Sequence, residues 1–266
     1  MFQRRGRGIL ARAAMRPDRV QYAKKEKSVI ARYGLLLIAV VLCAQPVFAA
    51  EELVTTAHFE SGETVPYILN YKSSSPRYVV ILFPGGSGVV NPRMKDGKLV
   101  YGFKGNFVVR TRKFIVDDEF STVTTNSTQS EERIQTVLDD IKRRFPKAQI
   151  YIMGTSNGTF DTMALAPYLS TRIAGAIHTS SLSRIASFNA KQYTNRHLVV
   201  HHKHDGCHAT PFSSAQHSHE KYGNDFIAMD GGIAVGNPCE PLGHHGFNGI
   251  EEETIDAIKK WIKQGG

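Results

Sequence analysis

The chain is short of cysteine, of long apolar runs and of phosphate-binding signatures, and each shortage closes off a class of protein. Three cysteines occur in 266 residues, so a hydrophobic core, not a disulfide framework, must hold the fold. The apolar run at residues 34–44, GLLLIAVVLCA, falls short of the roughly 20 residues that a membrane-spanning helix needs. No Gly-Lys-Ser/Thr follows the glycine-rich loop PGGSG at 84–88, and no G-x-G-x-x-G fingerprint occurs, which argues against a nucleotide phosphate site. Internal repeats and low-complexity segments are missing too. The formal charge of +9 suggests nucleic acid, but ten of the 33 Lys and Arg lie within residues 1–49, against two of the 24 acids. The rest of the chain is therefore close to neutral, and nucleic acid is not expected as a partner.

The basic leader, the apolar run and then Val47-Phe48-Ala49 form the pattern of a secretory signal peptide. Small residues stand at −3 and −1 for cleavage after Ala49. Residues 1–49 are therefore read as signal peptide and 50–266 as a single mature domain. Met1 and Met15 both remain open as the start. An uncleaved anchor is disfavoured by the length of the run, and Cys43 is a poor lipid site behind bulky Leu42. Export to the periplasm or the exterior is the expectation, with no stable membrane insertion once the leader is gone.

The mature chain turns on residues 150–161, IYIMGTSNGTFD. Apolar residues 150–153 read as a buried strand, Gly154-Thr155-Ser156-Asn157-Gly158 matches G-x-S-x-G, and an apolar helical segment follows from Phe160. Strand, tight turn and helix are the setting in which this motif exposes a nucleophilic hydroxyl. Upstream, residues 52–60 and 65–72 read as a hairpin, and the apolar run 78–83, YVVILF, reads as a buried parallel strand ending at PGGSG. Residues 89–114 read as irregular and placed over the site mouth, with strand at 115–116 and 121–125. Thr128 and Glu131 have the spacing of a capping box. Behind them Ile134, Val137, Leu138, Ile141 and Phe145 recur at helical spacing up to Pro146. Strands are expected at 173–177, 197–201 and 226–229, a polar helix at 211–222, and Pro167 is expected to end or kink the helix behind Ser156. A last helix carries Ile255, Ile258, Trp261 and Ile262, with Asn248 available as its cap.

These elements resemble the α/β-hydrolase family over most of the chain after residue 50. The resemblance implies a mostly parallel central sheet flanked by helices on both faces, and the mature size leaves no room for a separate cap domain. In that family the order is nucleophile, acid, base. Here it implies Ser156 as nucleophile, Asp205 after a strand as the acid, and His245 before the last helix as the base. His244 is the rival base and Asp230 a weaker rival acid. The oxyanion hole is implied at the backbone N–H of Asn157, with Gly86 or Ser87 giving the second donor from the position of the lipase HGGG-type loop. The implied activity is a serine hydrolase of carboxylic esters, with amides or thioesters less favoured, working through an acyl-enzyme without a cofactor.

After leader removal, Cys207 and Cys239 remain, and an oxidising compartment favours one bond between them. His201, His202, His204 and His208 crowd around Asp205 and raise a metal-dependent hydrolase as an alternative. Their spacing is not that of a helical or finger-type metal site, and successive strand residues face opposite ways. A non-catalytic binding protein on the same fold is the remaining alternative.

Overall fold

The computed structural model describes residues 49–265. Residues 1–48, and with them nearly all of the expected leader, lie outside the described residues. Ten strands form among the described residues: β1 Glu51–His58, β2 Thr64–Tyr71, β3 Tyr78–Phe83, β4 Arg93–Lys95, β5 Lys98–Val100, β6 Phe120–Thr124, β7 Gln149–Thr155, β8 Gly175–Thr179, β9 Arg196–His202 and β10 Asp225–Met229. The helices are α1 Phe107–Ile115, α2 Glu131–Arg144, α3 Asn157–Leu169, α4 Phe212–Tyr222 and α5 Glu251–Lys263. Eight strands make one sheet in the order β1-β2-β6-β3-β7-β8-β9-β10. β1 with β2 and β2 with β6 pair antiparallel; every later pair is parallel. No described helix is long and apolar enough to cross a membrane.

A parallel strand covered on both faces needs apolar residues at consecutive positions. β3 shows why. Val80 and Leu82 face the layer of α1 and α5, packing with Phe107, Ile258 and Trp261. Val79, Ile81 and Phe83 face the layer of α2 and α3, packing with Ile134, Leu138 and Leu165. Each strand thus feeds two cores, and the parallel strands end together at one edge of the sheet, where the loops 84–88, 155–157 and 203–210 emerge.

Several sequence expectations need correction. Residues 89–114 are not irregular throughout: β4 and β5 pair, and α1 begins at Phe107. Its apolar face is interrupted by Arg112, whose guanidinium is buried against Glu52 at 3.0 Å and Tyr101 Oη at 2.9 Å. That buried ion pair hides the helix from a pattern search. Ile115 closes α1 instead of opening a strand. The cap of α2 is Ser130, whose Oγ accepts from Arg133 N at 3.2 Å, while the Thr128 hydroxyl accepts from Ser130 N. Asn248 does not cap α5; its amide donates to Ile233 O, and Ile250 stands at the cap without a side-chain bond. Pro167 is accommodated within α3, which continues to Leu169. The strand expected at 173–177 is shifted to Gly175–Thr179 by its register with β9.

His178 and His197 are buried edge to edge with their rings nearly parallel, 5.5 Å between ring centres. His178 Nδ1 lies 2.9 Å from Thr162 Oγ1 and its Nε2 3.1 Å from His197 Nδ1. Burial holds both imidazoles neutral, with His178 well below its ordinary value and His197 pushed down to about 4. The unfolded chain takes up these protons below about pH 6.5 while the folded protein resists, so stability falls as pH drops from 6.5 toward 4. The slope is about 1.4 kcal/mol per pH unit for each imidazole still neutral in the folded state. Melting temperatures measured between pH 7.5 and 4.5 should fall steeply in this window, and His197→Gln should flatten the fall. Identical curves for the two proteins would remove the histidine pair as the cause.

Candidate active site

β7 runs into Ser156 and α3 starts at the next residue. Ser156 takes φ 52° and ψ −121°, a conformation that an L-residue holds only where its surroundings impose it. The constraints are visible. Ser156 N donates to Thr179 O at 3.0 Å, and Thr159 Oγ1 and Thr159 N both donate to Ser156 O. The helix start presses against two strands. A Cβ on Gly154 would stand 2.3 Å from Gly158 O, and one on Gly158 would stand 2.4 Å from Phe83 O. Only glycine permits both approaches, so the two glycines of the motif set the sharpness of the turn.

β9 delivers Asp205, and the loop before α5 delivers His245. The Asp205 side chain is fully buried, and His245 Nδ1–H donates to its Oδ2 at 3.0 Å. The same oxygen accepts from Thr210 Oγ1 at 2.9 Å and stands 3.3 Å from His201 Nε2, while Oδ1 accepts from Cys207 N. Burial opposes the charge, but the bonds from His201, His245 and the Cys207 amide outweigh it and hold the carboxyl well below the ordinary carboxylate range. With Nδ1–H committed to Asp205, the His245 ring is left with Nε2 as its free acceptor.

Ser156 and His245 line one cleft of about 330 Å³, together with Gly86, Phe103, Phe107 and Pro241. The rival residues lie elsewhere. His244 stacks on His202, 4.3 Å between centres, and its Nδ1 faces His204 O. Asp230 is exposed and pairs with Lys203 and His204. Of the two oxyanion candidates in the glycine loop, Gly86 lines the cleft and Ser87 does not. Gly86 sits at φ +62°, and a Cβ there would stand 2.7 Å from the Phe103 ring. Asn157 is the first residue of α3, where backbone N–H groups lack helical partners, and its Nδ2 donates to Gly86 O at 2.9 Å. This bond ties the two expected donor segments together.

The histidine-rich stretch does not converge. His201 Nε2 bonds Thr210 O, His202 Nε2 bonds Gly231 O, and His204 points outward to Asp230. Among the described residues, the group close enough to hold a metal is Cys207, His208 and Cys239. Its two sulfurs are joined in the Cys207–Cys239 disulfide and carry no thiolate. That bond ties the Asp205 loop to the loop before His245, and Cys239 itself lines the cleft. The chain-entropy model gives such a loop about 3–4 kcal/mol. Cys239→Ser should lower the unfolding free energy by about this amount in denaturant titration and reduce turnover as the Asp205–His245 pair loosens. An unchanged unfolding midpoint would show that the bond constrains neither.

Three residues of the site carry no motif. Thr210 holds the carboxylate, and Phe103 walls the cleft at a positive φ of 55°. Ser180, also at positive φ, donates through Oγ to His245 O at 2.6 Å. A Ser just past a strand end was the one signal available for Ser180; Thr210 and Phe103 gave none.

The sheet order, the strained serine between strand and helix, and the acid and imidazole from later loops define the α/β-hydrolase fold. Solved structures of that fold agree. Est1E from Butyrivibrio proteoclasticus aligns with a TM-score of 0.55 at 14% identity, over 80% of this chain and 98% of that one. XC6422 from Xanthomonas campestris, described as an α/β serine hydrolase without lid, gives 0.51 at 12%, over 80% and 98%. A fungal esterase from Rhizomucor miehei gives 0.51 at 14%, over 95% and 93%. At such identities the likeness shows the fold alone. No protein-family model and no curated protein sequence matches the chain.

Proposed function

We propose that this protein is a secreted serine hydrolase of carboxylic esters, with Ser156, His245 and Asp205 as its catalytic triad. The observation that carries this is the 3.0 Å bond from His245 to the buried Asp205, with His245 in the cleft that Ser156 lines. Ser156 Oγ attacks the ester carbon, and His245 Nε2 takes its proton. The oxyanion that forms receives the backbone N–H groups of Asn157 and Gly86, each worth roughly 3–4 kcal/mol in a preset site. The carbon–oxygen bond to the alcohol then breaks, and His245 returns the proton to the departing oxygen. Water repeats the sequence on the acyl-enzyme and releases the acid. Asp205 stays ionised throughout and stabilises the imidazolium. Esters are favoured over amides because the similar structures include a fungal esterase, and Est1E with ferulic acid bound. Export rests on the leader pattern of residues 1–49 and on the Cys207–Cys239 bond, which persists in oxidising compartments.

A fluorophosphonate probe tests the assignment. Covalent labelling that maps to Ser156 and disappears in Ser156→Ala is the expected result. No labelling at any pH would instead make the chain a binding protein on this fold. N-terminal sequencing of protein recovered outside the cytoplasm should begin at Ala50.

A further inference from the structure

His245 is carried by a short turn whose backbone is held from two other parts of the fold. Residues His244–Gly246 make one 3₁₀ turn. Gly246 N donates to Gly243 O and Phe247 N to His244 O, which leaves the carbonyls of His245 and Gly246 to other partners. Both are taken by side chains. His245 O accepts from Ser180 Oγ at 2.6 Å, and Gly246 O accepts from Arg110 Nη2 at 2.5 Å.

Arg110 does more than hold Gly246. Its side chain is 18% exposed, and its guanidinium serves three partners. Nη1 donates to Gly105 O at 2.7 Å, Nη2 to Gly246 O, and Nη2 and Nε to Glu251 Oε1 at 2.9 and 3.2 Å. Glu251 is itself fixed at the start of α5, where its Oε2 accepts from Gly249 N at 2.7 Å. Gly105 and Gly246 both line the cleft with Ser156 and His245, whereas Arg110 does not. Gly105 belongs to the wall that carries Phe103, and Gly246 to the turn that carries His245. The two glycines meet at Pro241. A Cβ on Gly105 would stand 3.6 Å from Pro241 Cγ, and one on Gly246 would stand 1.9 Å from Pro241 O. One planar cation therefore fastens the Phe103 wall to the His245 turn, with Glu251 as its counter-charge.

A guanidinium suits this task because its N–H groups are fixed in one plane. Bonds along its different edges set the two carbonyls relative to each other, which the point charge of an ammonium on a flexible stem does not do. On the reading of Ser156 and His245 given above, we infer that Arg110 is a positioning residue for the hydrolysis. Through Gly246 it holds the His245 imidazole toward Ser156, and through Gly105 it holds the wall against which the ester lies.

Turnover of a p-nitrophenyl ester and the rate of fluorophosphonate labelling at Ser156 test this in the full chain. Displacement of a catalytic group by about 1 Å costs about 10²-fold, so Arg110→Ala should lower kcat and the labelling rate on that scale. Arg110→Lys keeps a cation beside Glu251 without the fork and should still lose about tenfold. Millimolar guanidinium chloride should restore much of the lost kcat to Arg110→Ala, while potassium chloride at the same concentration restores none and the unaltered protein responds to neither. Glu251→Gln leaves both carbonyl bonds in place, so its kcat should fall far less than that of Arg110→Ala. Circular dichroism shows whether each variant is folded. Unchanged kcat and labelling in Arg110→Ala would overturn the inference while leaving Ser156 as the nucleophile. Equal losses in Arg110→Ala and Glu251→Gln, with no response to guanidinium, would overturn it too, because that is the pattern of an ion pair that only supports the fold. If Arg110→Ala does not fold, unchanged kcat in Arg110→Lys is the overturning result. If the unaltered protein took no label and turned over no ester, the hydrolase reading would fall and this inference with it.

Discussion

Ser156→Ala should lower ester turnover by about 10⁵–10⁶-fold, the scale at which loss of the nucleophile leaves only binding and oxyanion stabilisation. The fold should survive. The hydroxyl makes no side-chain capping bond at the helix start, and the strained backbone is held by Thr179 O, Thr159 and the close glycine contacts, none of which needs Oγ. A purified variant with an unchanged melting temperature and background-level turnover is the expected pair of results. Near-normal turnover in a folded variant would end the assignment. Substitution of Gly154 or Gly158 by Ala should do the reverse. The added Cβ collides with backbone that has little room to shift, so the protein should be lost before its chemistry is tested.

Asp205→Asn should reduce kcat by about 10⁴-fold with little change in KM. The amide has nearly the same shape as the carboxylate but presents a donor where the acid accepts three. His245 Nδ1–H and Thr210 Oγ–H converge on Oδ2, and the Cys207 amide donates to Oδ1. With an amide there, the imidazole is driven toward the tautomer that places its proton on Nε2, where it cannot take the serine proton. Stopped assays with a p-nitrophenyl ester across pH 5–9 measure this. In the unaltered protein, the depressed carboxyl keeps its charge throughout that range, so protonation of Asp205 should not be the cause of any acid loss of activity there. A loss of less than tenfold in Asp205→Asn would show that orientation by this carboxylate is not what makes His245 a base. Thr210→Val removes one of the three bonds and should cost about tenfold, mainly in kcat, at a position with no sequence signature.

Much of this was legible before any coordinates. The runs 78–83 and 150–153 read as buried strands, because they are short, continuously apolar and closed by glycine-rich turns. The sequence GTSNG between such a strand and an apolar helix left few places for Ser156 to point. The order of Ser156, Asp205 and His245 along the chain matched the nucleophile, acid, base order that the resemblance to the α/β-hydrolase family implies. Less was legible where a residue's environment comes from elsewhere. α1 was missed because Arg112 reads as a surface charge until Glu52, far away in sequence, is folded against it. Capping by Ser130 instead of Thr128, and the failure of Asn248 to cap, turned on local backbone angles that several polar candidates fitted equally well.

Residue type and spacing alone determined the buried strands, the tight turn at Ser156 and the two cysteines available to pair, because hydrophobic period, glycine placement and cysteine count are properties of the chain itself. Only the tertiary structure sets His245 on Asp205 and His244 on His202, puts Gly86 and not Ser87 in the cleft with Ser156, and brings Thr210 and Ser180 beside them. Adjacent residues in a loop have nearly the same sequence context, and which one faces a distant partner is decided by packing across the fold.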